Sequence, residues 1–251
     1  MSFESDAEEL FSQMNQFERH QLDGIVVRVG HDASHLFVMV DFVNARLYQR
    51  AKNFGFTLFI DGESSFQRSF GITYPTGFFY ELGNYSQARK RYLEEPNWEN
   101  MPENRHIVRA ARNTMAERAL LIQRRGRRDN MQPAPVPLVQ LRAQNLYIHH
   151  DDEEHRGRLF FAVPLQVRST SQFSPDIRGG KKVTLGFEVD PITLLDKESA
   201  HSAPLITSES ASGRTGTASD RDQEHREHII LLQRRMGDTF SKWIEVTFSN
   251  P

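Results

Sequence analysis

The sequence predicts a mainly β protein: an antiparallel β-sandwich carrying one long amphipathic helix and short helical insertions. Three observations point there. Apolar residues alternate with polar ones in short runs, as in Ile25, Val27 and Val29 or Val183, Leu185, Phe187 and Val189. Turn pairs and short polar turns separate these runs, notably His31-Asp32-Ala33-Ser34 and Asp61-Gly62. The 251 residues are enough to bury a substantial core without any cysteine to staple it.

In chain order, Met1 to Asp23 is acidic and polar around Phe3, Leu10, Met14 and Phe17, which suits a short helix or an arm packed on the domain edge. It lacks the basic start and continuous apolar stretch of a secretory signal, so a cytoplasmic location is expected. The domain proper is expected over residues 24–251. Its run Leu36 to Val43 is apolar at nearly every position, as expected of a central strand covered on both faces. Asn44 is placed to cap a short helix, Ala45 to Asn53. Strands follow at Phe54 to Ile60 and Phe70 to Tyr74, stopped by Pro75.

A helical insertion is expected over residues 84–130: Ser86 to Glu94, then a long helix, Asn104 to Arg124, with Ile107, Ala111, Met115, Ala119 and Ile122 as its apolar stripe. Period two then returns at Leu146 and Ile148, at Leu159 to Leu165, at Val183 to Val189 and at Ile244 to Phe248. Pro164 argues that its strand is an edge or bulges. Residues 199–227 are rich in Ser, Thr, Gly and charge, and are expected to form a disordered loop. About eight to ten strands are expected in all.

The phrase VVRVGHDASHLFVMVDF, a helix-like spacer, then GFTLFIDG and RSFGITYPTGF resembles the DOMON-like superfamily. That group includes the family-nine carbohydrate-binding modules and the haem-binding domain of cellobiose dehydrogenase. Val29, Asp32, Leu36 to Val40 and Phe56 to Asp61 stand where the superfamily has its charged turn and the strands on either side of its spacer. More narrowly, GFTLFIDGE…FGITYP resembles bacterial proteins, often exported, of the same type. The resemblance covers about residues 24–77, with weaker support at 157–189 and 242–248. It implies a sandwich fold and a binding role, toward a glycan, a small ligand or a protein. The opening strand phrase of the superfamily is reduced here to Gln21-Leu22-Asp23-Gly24, and its sugar-stacking aromatic platform has no matched residues.

Several clusters bear on function. Phe78, Phe79, Tyr80 and Trp98 form an aromatic-rich stretch, with Tyr85 and Tyr92 between. These rings either stack on a sugar or partner, or seat the helices on the sandwich. The run from His149 to His155 gathers metal-ligating side chains, of which His149, His150, Asp152 and His155 are the candidates. Neighbours in a short turn rarely aim at one point, so a solvated turn is the competing reading. His31, Asp32 and His35 flank a turn and read first as its cap. Met39 reads as a core methionine rather than a haem ligand.

Arg124, Arg125, Arg127 and Arg128, with Arg109, Arg112 and Arg118, form a basic stretch. No aromatic residue lies between Arg105 and Val139, so nucleic acid is not an expected partner. The net charge of −2 agrees. No phosphate loop, nucleophile elbow or zinc-protease motif occurs. A non-catalytic binding or accessory module with no cofactor is therefore the first expectation, and a haem- or metal-binding redox domain or enzyme the second.

Overall fold

The computed structural model describes residues 17–32, 34–62, 68–85, 87–123, 133–153, 156–165, 175, 182–189 and 239–247. Eleven strands are present among them, in two antiparallel sheets. Residues 1–16 and the loop expected at 199–227 lie outside the described residues.

The chain enters through two hairpins: β1 (Glu18–Leu22), β2 (Ile25–His31) and β3 (His35–Phe42). Five of the last six residues of the expected N-terminal arm, Glu18 to Leu22, are therefore a strand. Leu22 pairs with Ile25, and Gly24 carries the turn between them at φ 86°, a conformation costly for residues with a Cβ. In the second hairpin the Asp32 carboxylate accepts from the backbone N–H of Ser34 and of His35, both at 2.6 Å.

Helix α1 (Ala45–Phe54) follows the expected cap closely: Asn44 Oδ1 accepts from Arg46 N at 2.9 Å and Leu47 N at 3.2 Å. Phe54, expected to open a strand, instead ends this helix, and β4 (Thr57–Gly62) starts after Gly55. Next come β5 (Phe70–Thr73), α2 (Phe78–Glu81), α3 (Ala88–Glu94) and α4 (Arg105–Glu117), with short 3-10 turns between.

The long helix expected to reach Arg124 stops at Glu117, and Arg118–Gln123 is strand β6. Ala119, Leu120, Leu121 and Ile122 are all buried. A helix would turn part of that unbroken apolar run to solvent, whereas a strand between two others buries both its faces. Its neighbours are β5 and β7 (Pro133–Pro137), an outermost strand where three prolines are tolerated. Helix α5 (Leu138–Arg142) then leads to β8 (Tyr147–Glu153), β9 (Arg156–Pro164), β10 (Lys182–Val189) and β11 (Phe240–Thr247).

The five-stranded sheet runs β1-β2-β3-β9-β8 and the six-stranded sheet β11-β10-β4-β5-β6-β7. Pro164 does not mark an edge: β9 lies between β3 and β8, and the proline is its last residue, paired with His35. Alternate residues of both sheets, among them Val38, Val40, Phe161, Leu58, Ile60 and Phe187, enter one hydrophobic core. On its other face β3 presents Phe37 and Met39, which pack with Phe160 and Ala162 of β9 under Phe17 and Tyr147. This second cluster accounts for the doubly apolar pattern of β3, and Met39 sits in it as a packing residue. No helix among the described residues is long and apolar enough to cross a membrane.

Candidate functional site

The far end of the same outer face is charged. Strand alternation and register put Val26, Asp41, Arg158 and Asp151 in one row across β2, β3, β9 and β8. The neighbouring position on β2 is Arg28, directly opposite Arg19 of β1. Beyond the row on the other side stand Val43, where the chain leaves β3, and Arg156. Together they line a cleft of about 440 Å³, with Phe42 and Gly157 completing the wall.

Asp41 organises the cleft. Its Oδ1 accepts from Arg158 Nε at 2.6 Å and its Oδ2 pairs with Arg28 Nη1, so one carboxylate holds two guanidinium groups in place. Arg28 and Asp41 are each about one-fifth exposed. Val43 is 62% exposed, one of two exposed large apolar side chains among the described residues.

Behind the β8–β9 hairpin, on the inward face, lies a polar network reached from helix α1. Tyr48 lies against Gly157, where a Cβ would sit 1.9 Å from the ring. Its hydroxyl donates to Asp152 Oδ1 and stands 2.8 Å from His150 Nε2. A phenol has one proton, so His150 must supply the other and carries it on Nε2. Lys52, one turn along α1, donates to Asp152 Oδ2 at 2.8 Å. Tyr74 meets the His150 ring edge-on at 6.0 Å between centroids.

Charge states follow from these surroundings. Burial pushes His150 below the usual imidazole range, the nearby Lys52 adding to this and Asp152 opposing it. Burial works to raise Asp152, but hydrogen bonds from Lys52 and Tyr48 outweigh it and hold the carboxyl below its ordinary value. Burial, reinforced by the bond to Asp152, raises the Tyr48 phenol well above the tyrosine norm. At neutral pH the network is thus Lys52 cation, Asp152 anion, neutral Tyr48 and neutral His150. It pins α1 to β8 and offers no activated nucleophile.

The aromatic stretch is part of the core, as the reading that these rings seat the helices on the sandwich expects. Phe78 and Phe79 are 3% exposed and Trp98 is 1% exposed, interlocked with Tyr92 at ring separations of 5.4, 6.2 and 6.2 Å respectively. Tyr80 is half-buried beside Arg89. The physical reason is area: rings of this size seat the helical insertion, and stacking a ligand on them would require opening that core.

The expected metal set is divided by the pleat. The run forms a strand rather than a turn, so His150 and Asp152 face inward while the exposed His149 faces out; His155 lies outside the described residues. Among the described residues no group of three or more His, Asp or Glu is arranged to hold a metal ion.

Asp32 serves as a turn cap. Burial raises its carboxyl, but the Ser34 and His35 hydrogen bonds more than offset this and lower it. The arginines of the helical insertion are separated: Arg118 is paired with buried Glu81, Arg112 reaches Glu99 and lies over Phe78, and Arg124 to Arg128 lie outside the described residues.

Arg19, Arg28, Asp41, Arg156 and Arg158 did not stand out in the sequence, nor did Tyr48 and Lys52. The available signal was a charge interrupting an apolar run, as in VVRVG and VMVDF. No protein-family model and no curated protein matches this chain.

Proposed function

We propose that the chain is a non-catalytic ligand-binding module on a DOMON-like antiparallel β-sandwich, and that it binds through the outer-face cleft of the five-stranded sheet. Two antiparallel sheets sharing one core support the sandwich, and the motifs between Gly24 and Tyr74 support its type. The observation that carries the binding reading is the cleft itself. It combines polar groups converging on one space, an exposed apolar edge at Val43, and arginines already held by Asp41. Acidic and neutral oligosaccharides are the first ligands to try, since a glycan is one of the ligand classes that the resemblance implies.

Hydrogen–deuterium exchange across a panel of such oligosaccharides tests the reading. Protection confined to residues 24–28, 41–43 and 156–158 is the expected result. Protection elsewhere, or none with any member of the panel, would overturn the cleft as the binding surface. A Soret band or stoichiometric metal in the purified protein would replace the binding-only reading with a redox one.

A further inference from the structure

We infer that the cleft receives an oxyanion borne on a small ligand: a carboxylate, sulfate or phosphate joined to an apolar edge. This rests on the binding reading above and specifies its chemistry. Four arginines line the cleft against two aspartates, Asp41 and Asp151. Among the described residues lining the cleft the arginines are thus in excess, in a chain whose formal net charge is −2.

Placement matters more than number. Arg19 and Arg28 stand directly opposite each other on adjacent strands, where like charges destabilise a sheet unless something neutralises them. Asp41 already engages Arg28 and Arg158. Arg19 and Arg156 are exposed and make no ion pair among the described residues. They flank the Asp41-held pair along the two sides of the cleft. An incoming oxyanion therefore meets two guanidinium groups already oriented and two available to close on it, the planar fork geometry that suits carboxylate, sulfate and phosphate. A free inorganic ion would occupy little of 440 Å³. Val26 on the floor and exposed Val43 at the rim give the remainder an apolar lining, which favours an anionic group carried on a larger body.

Titration calorimetry tests this with four probes: a uronic-acid trisaccharide, its carboxyl-reduced neutral form, a sulfated sugar and a sugar phosphate. At least one charged probe is expected to bind at least about tenfold more tightly than the neutral trisaccharide, and to weaken as salt is raised. Which one binds identifies the acid. The Arg19→Gln/Arg156→Gln double variant is expected to lose at least about tenfold for that probe. Val43→Asp, a second surface change with a different origin, should likewise weaken the charged probe. Circular dichroism verifies that each variant is folded.

Equal affinity for neutral and charged trisaccharide, with exchange protection still in the cleft, would overturn the oxyanion inference and leave the binding surface standing. Unchanged affinity of both folded variants for the charged probe would do the same. Protection that moves to another surface would remove the cleft reading itself.

Discussion

Gly157 is the residue at which the inward network and the outward cleft meet, and replacing it with alanine tests how they are built. A Cβ there would lie 1.9, 2.2 and 2.5 Å from three carbons of the Tyr48 ring. Non-bonded carbons rest at about 3.5–4.0 Å, so the ring must retreat by more than an ångström. It is backed by Phe42, 5.3 Å away between centroids, and its hydroxyl is committed to His150 and Asp152. Overpacking costs about 1–3 kcal/mol, and a lost hydrogen bond to a charged partner about 1.5–3 kcal/mol. Gly157→Ala is thus expected to destabilise by about 2.5–6 kcal/mol, or on the order of 5–25 °C in Tm for a chain of this size.

The sign is diagnostic, because Gly→Ala inside a strand otherwise stabilises by about 0.5–1 kcal/mol. Urea unfolding followed by circular dichroism gives the number. The decisive comparison is the same substitution in a Tyr48→Ala background, where removal of the ring should reduce its cost to below about 0.5 kcal/mol. A tolerated Gly157→Ala in the wild-type chain, or an equal loss in both backgrounds, would refute the argument.

The network also gives a pH dependence. His150 and Asp152 both have folded-state pKa values below their unfolded ones, so the unfolded chain binds more protons and acid favours it. Stability should start to fall as pH drops below about 6.5, where unfolded histidine titrates, and fall further below about pH 4 as Asp152 protonates. His150→Gln should flatten the first part of that profile; an unfolding midpoint that rises between pH 7.5 and 5.5 would contradict the assignment. Glu81 is fully buried, pairs with Arg118 and accepts from Thr76, so Glu81→Gln should cost about 3–5 kcal/mol in denaturant unfolding, and Glu81→Leu with Arg118→Met distinctly less. Asn44→Ala removes the cap of α1 and should cost about 1 kcal/mol, with earlier exchange of the Arg46 and Leu47 amides.

What the sequence made legible was governed by local physics. The cap at Asn44, the turn at Asp32 and strand β10 depend on residues close in the chain, and each forms as expected, although β10 buries its polar positions Thr184 and Glu188 as well as its apolar ones. The end of α4 was not legible, because Ala119 to Ile122 fits a helical stripe as well as a strand until β5 and β7 are there to bury both faces. The same holds for the cleft. Arg28 and Arg158 lie 130 positions apart and meet only through β3, by a register that no spacing in the chain reveals. The aromatic stretch left two readings open in the sequence, stacking on a ligand or seating the helical insertion, and only the packing around Phe78, Phe79 and Trp98, which buries all three, separates them.

The prolines of β7 have a consequence for how molecules of this protein meet. They occupy every second position, 133, 135 and 137, so the ladder to β6 relies on the amides of Ala134 and Val136. The outward side of the strand then offers carbonyls but no N–H groups, and a foreign strand arriving there finds only half of what it needs to zip on. The six-stranded sheet is thereby closed to chain-to-chain growth at one border. Among the described residues the other outermost strand of that sheet, where such extension would begin, is β11.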